Sequence, residues 1–178
     1  MSVTWVALLR GINVGRAKRI TMADLRAMLE SIGHGEVRTH GQSGNAIFTS
    51  ARSNAEPLER EISARIKGDF GMDVVVMVRT AAEFAKVVDA NPFVTPGADT
   101  SKLHVAFLSA QPAASVLAGV DREACMPDEF AFGDRAIYVR LPNGVMGTTL
   151  PDWERTLGVR VTQRNWNTTL KLRDLAGS

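Results

Sequence analysis

Trp5-Val6-Ala7-Leu8-Leu9-Arg10-Gly11-Ile12-Asn13-Val14-Gly15-Arg16 runs from a strand that is apolar at five successive positions into a glycine-punctuated loop carrying Arg and Asn. A strand wet on one face alternates apolar and polar side chains, so an unbroken apolar run predicts a sheet buried on both faces. Val74-Val75-Val76-Met77-Val78 has the same character. Helices are expected over one face, and the other half of the chain or a second subunit over the other.

Working outward from that strand, Met22, Leu25, Met28, Leu29 and Ile32 mark one face of a helix opened by Thr21, with Asp24 three residues on as a capping box one methylene short. Glu36–Gly41 and Ala46–Ser50 read as strands joined through Gln42-Ser43-Gly44-Asn45, and Leu58, Ile62, Ile66 and Phe70 recur at helical spacing. Glu56 with Arg60 and Glu61 with Arg65 are expected as i,i+4 pairs on that second helix. Val74–Val78 closes a β-α-β-β-α-β order, the ferredoxin-like pattern of an antiparallel sheet with two helices on one face.

Thr80 and Glu83 form a well-spaced capping box for a third helix, and the stretch from Asn91 to Lys102, with two prolines and a glycine, reads as a linker. Beyond it the order recurs. Strands are expected at Leu103–Leu108, Glu129–Phe132, Ala136–Leu141 and Val159–Gln163, helices around Ala113–Val120 and Leu150–Leu157, and a last helix from about Thr168 to Leu175. The expected fold class is α+β: duplicated ferredoxin-like units with mainly antiparallel sheets packed or fused together. Residues 1–79 form the first unit, 80–101 the connecting helix and linker, and 102–178 the second unit with the C-terminal helix.

Composition narrows the function classes. Lys and Arg number 21 against 19 Asp and Glu, a net charge of +2, so global charge argues neither for nor against nucleic acid. The single cysteine, Cys125, and an N-terminus without a charged and then apolar segment predict a reducing, cytoplasmic setting. No apolar run reaches membrane-spanning length, so no membrane partner is expected. His34, His40 and His104 lack ligand spacing, so neither a metal nor another cofactor is called for. A homo-oligomer is left open.

The loop from Arg10 to Arg19 carries Arg10, Arg16, Lys18 and Arg19 and no acidic residue, a local cationic patch suited to steering an anion toward the following helix N-terminus. Its glycines match neither dinucleotide nor P-loop spacing, and they serve turns equally well, with Asn13 in a left-handed conformation. Ser43-Gly44-Asn45 offers a hydroxyl and an amide, or simply a bend between paired strands. In Arg164-Asn165-Trp166-Asn167-Thr168, Arg164 suits bidentate anion recognition, while Asn167 or Thr168 would cap a helix over a buried Trp166. No Gly-x-Ser-x-Gly surrounds Ser43, and no carboxylate pair stands out for acid–base work. Cys125 reads as a buried small hydrophobe.

Taken together, Ala7 to Gly15, Met22-Ala23-Asp24-Leu25, Gln42-Ser43-Gly44-Asn45, Asn91-Pro92-Phe93 and Arg164-Asn165-Trp166-Asn167-Thr168 with Lys171-Leu172 resemble the DUF1697 family. The blocks occur in order over essentially the whole chain. The resemblance implies a bacterial, cytoplasmic α+β protein of duplicated ferredoxin-like units, and no established activity or catalytic residue. The chain departs from the family pattern at Arg16-Ala17-Lys18, where Gly-Lys-Asn is usual, and at His40, where an aromatic is common. The motifs group Arg10, Asn13, Ser43, Asn45, Arg164 and Asn165 as one candidate ligand-binding cluster, with Arg16, Lys18 and Arg19 as steering charges. The expected partner is a phosphate-bearing small molecule or nucleic acid. A small-molecule enzyme and a protein-interaction or scaffold module are the alternatives, and a buried polar network would use the same groups.

Overall fold

β1 (Val3–Leu9) is the hub of the first half of the chain, pairing antiparallel with β3 (Asn45–Ser50) on one side and β4 (Val76–Thr80) on the other. The computed structural model describes residues 1–16 and 19–178. With β2 (Gly35–His40) at the edge the sheet order is β2-β3-β1-β4, every pairing antiparallel. Helices α1 (Met22–Ser31) and α2 (Ala55–Phe70) supply Leu25, Leu29, Leu58, Ile62 and Ile66 to a core that includes Trp5, Ala7, Leu9 and Phe48. Burying one such aliphatic side chain stabilises by about 1.5–3 kcal/mol. Val6, Leu8, Ile47 and Met77, at the alternate positions, are equally buried, so the unbroken apolar strands do have two dry faces.

The chain divides into two compact units, Met1–Ala85 with Lys171–Ser178, and Lys86–Leu170. In the second, β5 (Leu103–Leu108) takes the central place: it pairs with β7 (Ala136–Arg140) and β8 (Val161–Asn165), and β6 (Glu129–Gly133) forms the edge, giving the order β6-β7-β5-β8. All its pairings are antiparallel too. Its helices are short, α4 (Ala114–Ala118) and α5 (Trp153–Leu157), and Trp153 packs edge-on to Phe130 with ring centres 5.2 Å apart. The last turn of α3 (Ala81–Asp89) belongs to this unit, where the buried Tyr138 hydroxyl donates to the Val87 carbonyl at 2.6 Å. Burial first, and Asp134 second, push the Tyr138 phenol up to about 12. The C-terminal helix α6 (Trp166–Ala176) ends in the first unit, where Arg38 Nη1 donates to Ser178 Oγ at 2.7 Å.

Several local expectations shift for identifiable reasons. The strand expected over Val74–Val78 begins at Val76: the Val74 carbonyl accepts from Ser63 Oγ on α2, and the Val75 carbonyl, accepting from the Arg10 amide, carries the β1 register one residue beyond the strand. Glu56 and Arg60 do pair, at 3.6 Å, but Glu61 turns to Arg52, which grips it at 2.6 and 2.8 Å, while Arg65 pairs with Asp69. A forked guanidinium from outside the helix outcompetes the i,i+4 partner. The helix around Leu150–Leu157 starts only at Trp153, after Pro151, with Asp152 accepting from the Arg155 amide as its cap. The last helix starts two residues early, at Trp166, because Asn165 and not Asn167 or Thr168 caps it.

Candidate functional site

At the end of β1 the chain turns into a loop whose shape is set by three left-handed residues, Gly11, Asn13 and Gly15, with φ of 68°, 57° and 67°. Asn13 is the staple. Its Nδ2 donates to the Ile20 carbonyl at 2.8 Å and to the Gln42 carbonyl at 2.6 Å, and its Oδ1 accepts from the Ile20 amide at 2.9 Å. One side-chain amide therefore closes the loop on itself and fastens it to the β2–β3 turn. Both N–H donors are consumed in doing so.

The turn approaches equally closely from its own side. Gly44 has φ of 84°, its carbonyl accepts from the Leu9 amide at 2.9 Å, and a Cβ built on it would lie 2.7 Å from Leu9 Cβ and 2.8 Å from Ile12 Cδ1. Only glycine fits there. Asn45, 1 % exposed, donates through Nδ2 to the His40 carbonyl at 3.2 Å and so closes the same turn from within.

Around this frame the exposed residues include cationic and hydroxylic ones, with Val14 and Gln42 exposed beside them. Arg16, Arg19 and Ser43 are exposed and Arg10 is half-buried. Arg19 Nη2 donates to the Gly15 carbonyl at 2.9 Å, which holds its guanidinium over the loop. Lys18 lies outside the described residues. Thr21 caps α1 by accepting from the Asp24 amide at 3.0 Å, so that helix N-terminus is served by its own side chain.

Arg164 and Asn165 lie in the second unit, on β8 and at the start of α6. Arg164 is 8 % exposed, and its Nη1 donates to Thr162 Oγ1 at 2.7 Å and to the Gln163 carbonyl at 3.0 Å. Burial pulls its guanidinium down to about 10, which leaves it charged at neutral pH. Asn165 accepts from the Thr168 amide at 2.8 Å as a helix cap, and its carbonyl accepts from Thr169 Oγ1 at 2.9 Å. Trp166 is buried.

Three polar groups outside the motifs emerge only in three dimensions. His34, at the α1–β2 turn, is buried against Phe48 with ring centres 4.6 Å apart and its Nε2 lies 3.9 Å from Glu61. Burial lowers its pKa, with Glu61 pulling the other way and Arg52 again lowering it. Arg79, on β4, is buried and donates to the Val78 carbonyl at 2.9 Å. Asp128 is buried between Pro127 and the edge strand β6. A lone cation in Val76-Met77-Val78-Arg79 was the one signal in sequence that could have pointed to such a group. No cluster of three metal-ligating residues occurs among the described residues, and no described helix is long and apolar enough to cross a membrane.

A family model described as a protein of unknown function, DUF1697, matches residues 2–138. The solved structure of the conserved bacterial protein SP0830 from Streptococcus pneumoniae superposes with a TM-score of 0.79 over 99 % of this chain and 99 % of that one, at 21 % identity. The two share a fold. Among curated proteins none matches the chain.

Proposed function

Because the chain belongs to the DUF1697 family, whose function is unknown, we propose one from its own residues: binding of a phosphate-bearing ligand, a nucleotide or nucleic acid, on the β1–α1 loop. Arg10, Arg16 and Arg19 supply the charge, and Ser43 a hydrogen bond, with Asn13 and Asn45 holding the two loops in place. The observation that carries the reading is the Asn13 staple, which ties Asn13 to Ile20 and to the β2–β3 turn, with Arg19 held on the Gly15 carbonyl beside it. Preorganised cations bind anions at less ordering cost than mobile ones. Arg164 and Asn165 are given structural roles in this reading, since bonds to their own strand and helix are among those they make. Two further parts of the proposal are that each unit is a ferredoxin-like repeat of the other, supported by the shared strand order, and that the protein works in the cytoplasm.

The test is an amide NMR titration with inorganic phosphate, a mononucleotide and a short single-stranded oligonucleotide, repeated with Arg16→Ala/Arg19→Ala. Both side chains are exposed, so the fold should survive. The expected result is saturable shifts in residues 10–20 and 41–45, weakened by salt and about tenfold weaker in the double variant. Shifts indifferent to the substitutions, or none with any phosphate compound, would overturn the reading.

A further inference from the structure

We propose that the groove beside the edge strand β6, in the second unit, binds a small organic amine, its ammonium at Asp128 and its apolar stem along the groove. The groove encloses about 660 Å³, within the range of small-molecule sites. The apolar part of its lining is Pro92, Phe93, Met126, Pro127, Phe130 and Pro142. Met126, a flexible thioether in this lining, is 68 % exposed.

The charge argument follows from Asp128, which lines this groove and is only 2 % exposed. Its Oδ2 accepts from Thr148 Oγ1 and from the Thr149 amide, both at 2.8 Å. Oδ1 has no hydrogen-bond partner among the described residues, and Asp128 forms no ion pair among them. A carboxylate buried with only neutral donors is costly unless a cation or further donors reach it.

The arginines of the groove are already committed. Arg140 pairs with Glu129 at 2.9 Å, and Arg122 donates to the Phe130 carbonyl at 2.5 Å with its guanidinium 4.4 Å from the Phe130 ring centre. With Glu123 the lining holds three carboxylates against two arginines, so its balance is negative. A primary amine on an apolar stem satisfies both halves of the groove. An anion of the same shape satisfies only one.

Phenethylamine and 3-phenylpropionate, of similar shape and opposite charge, are the probes, titrated by NMR into the full chain. The amine should shift the amides of residues 92–93 and 121–131 saturably, and the carboxylate should not. Met126→Lys, an exposed change that places a like charge in the lining, should weaken the amine about fivefold without altering thermal unfolding. Asp128→Asn should abolish the effect. Equal or stronger binding of the carboxylate, shifts confined to other residues, or amine binding unchanged in Met126→Lys would each overturn the proposal, and all three readings are separate from the phosphate titration of the first unit.

Discussion

The two units build the same four-stranded antiparallel sheet and clothe it differently. In the first, helices of ten and sixteen residues cover the face that holds Trp5, Ala7 and Leu9, and the loops need only connect. In the second, helices of five residues each leave the stretches around residues 119–128 and 141–152 to finish the cover. A helix satisfies its own backbone and presents side chains, whereas a covering loop must also find partners for its polar atoms. The candidate sites differ accordingly. The first unit offers a rim of cations on a stapled loop, and the second a groove with a buried carboxylate in its wall.

The largest expected effect breaks the comparison at its tightest points, two glycines that play different parts. Gly44 combines a left-handed φ with a Cβ overlap against Leu9 and Ile12, whereas the nearest atoms to a Cβ on Gly133, in β6, all belong to Tyr138, its Cε2 at 2.7 Å, with no unusual φ. Strain and overpacking act together in Gly44→Ala, which should cost about 2–5 kcal/mol, against about 1–3 kcal/mol for Gly133→Ala from overpacking alone. Urea unfolding of both variants measures this. If Gly133→Ala proves the more damaging, the loop junction is softer than its contacts imply.

Acid sensitivity separates the units next. His34 in the first and His104 in the second are both held below their ordinary value of 6.5 by burial, but only His34 has a carboxylate nearby, Glu61, opposing the shift. For each, the unfolded chain binds a proton at a higher pH than the folded one. Stability is therefore full above about pH 6.5 and falls as the pH drops below it, until the lowered folded value is reached. His34→Phe keeps a ring against Phe48 and should flatten part of the decline between about pH 7 and pH 5 in urea unfolding, and His104→Phe another part. An unchanged pH profile in both variants would place the acid sensitivity elsewhere.

Much of this was legible in the sequence. Unbroken apolar runs gave buried sheets, Thr80 with Glu83 gave a helix start that is now seen as reciprocal bonds of 2.9 and 3.1 Å, and Leu103–Leu108 is a strand with the expected bounds. The alternative turn reading of Gly11, Asn13 and Gly15 was also right in form. What sequence could not supply was which partner a polar side chain chooses at long range. Asn13 reaches Gln42 across 29 residues, Glu61 abandons Arg65 for Arg52, and Asp128 meets Thr148 and Thr149 from another loop. None of these leaves a periodic trace. Of the motif residues, Arg10, Asn13, Ser43 and Asn45 fall in the first unit and Arg164 and Asn165 in the second, where Arg164 bonds Thr162 and Asn165 caps the last helix.

The smallest effect sharpens the comparison by asking whether the helix-rich unit is already at its best. Two caps in that unit have the same spacing and different chemistry. At α3, Glu83 reaches back to the Thr80 amide while Thr80 Oγ1 accepts from Glu83. At α1, Thr21 Oγ1 accepts from the Asp24 amide, but the Thr21 amide donates no return bond to the Asp24 carboxylate among the described residues. The shorter side chain stops a methylene short of the reciprocal geometry. Asp24→Glu supplies that methylene at an exposed position, keeps the negative charge at the helix N-terminus, and raises helix propensity slightly. The expected gain is about 0.5 kcal/mol, a rise in Tm of about 1–2 °C for a chain of this size by calorimetry. Thr21→Ala should remove the gain along with the existing cap, since the two bonds form one box. A gain that survives Thr21→Ala would come from propensity alone, and α1 would then owe its start to its buried face and not to its cap.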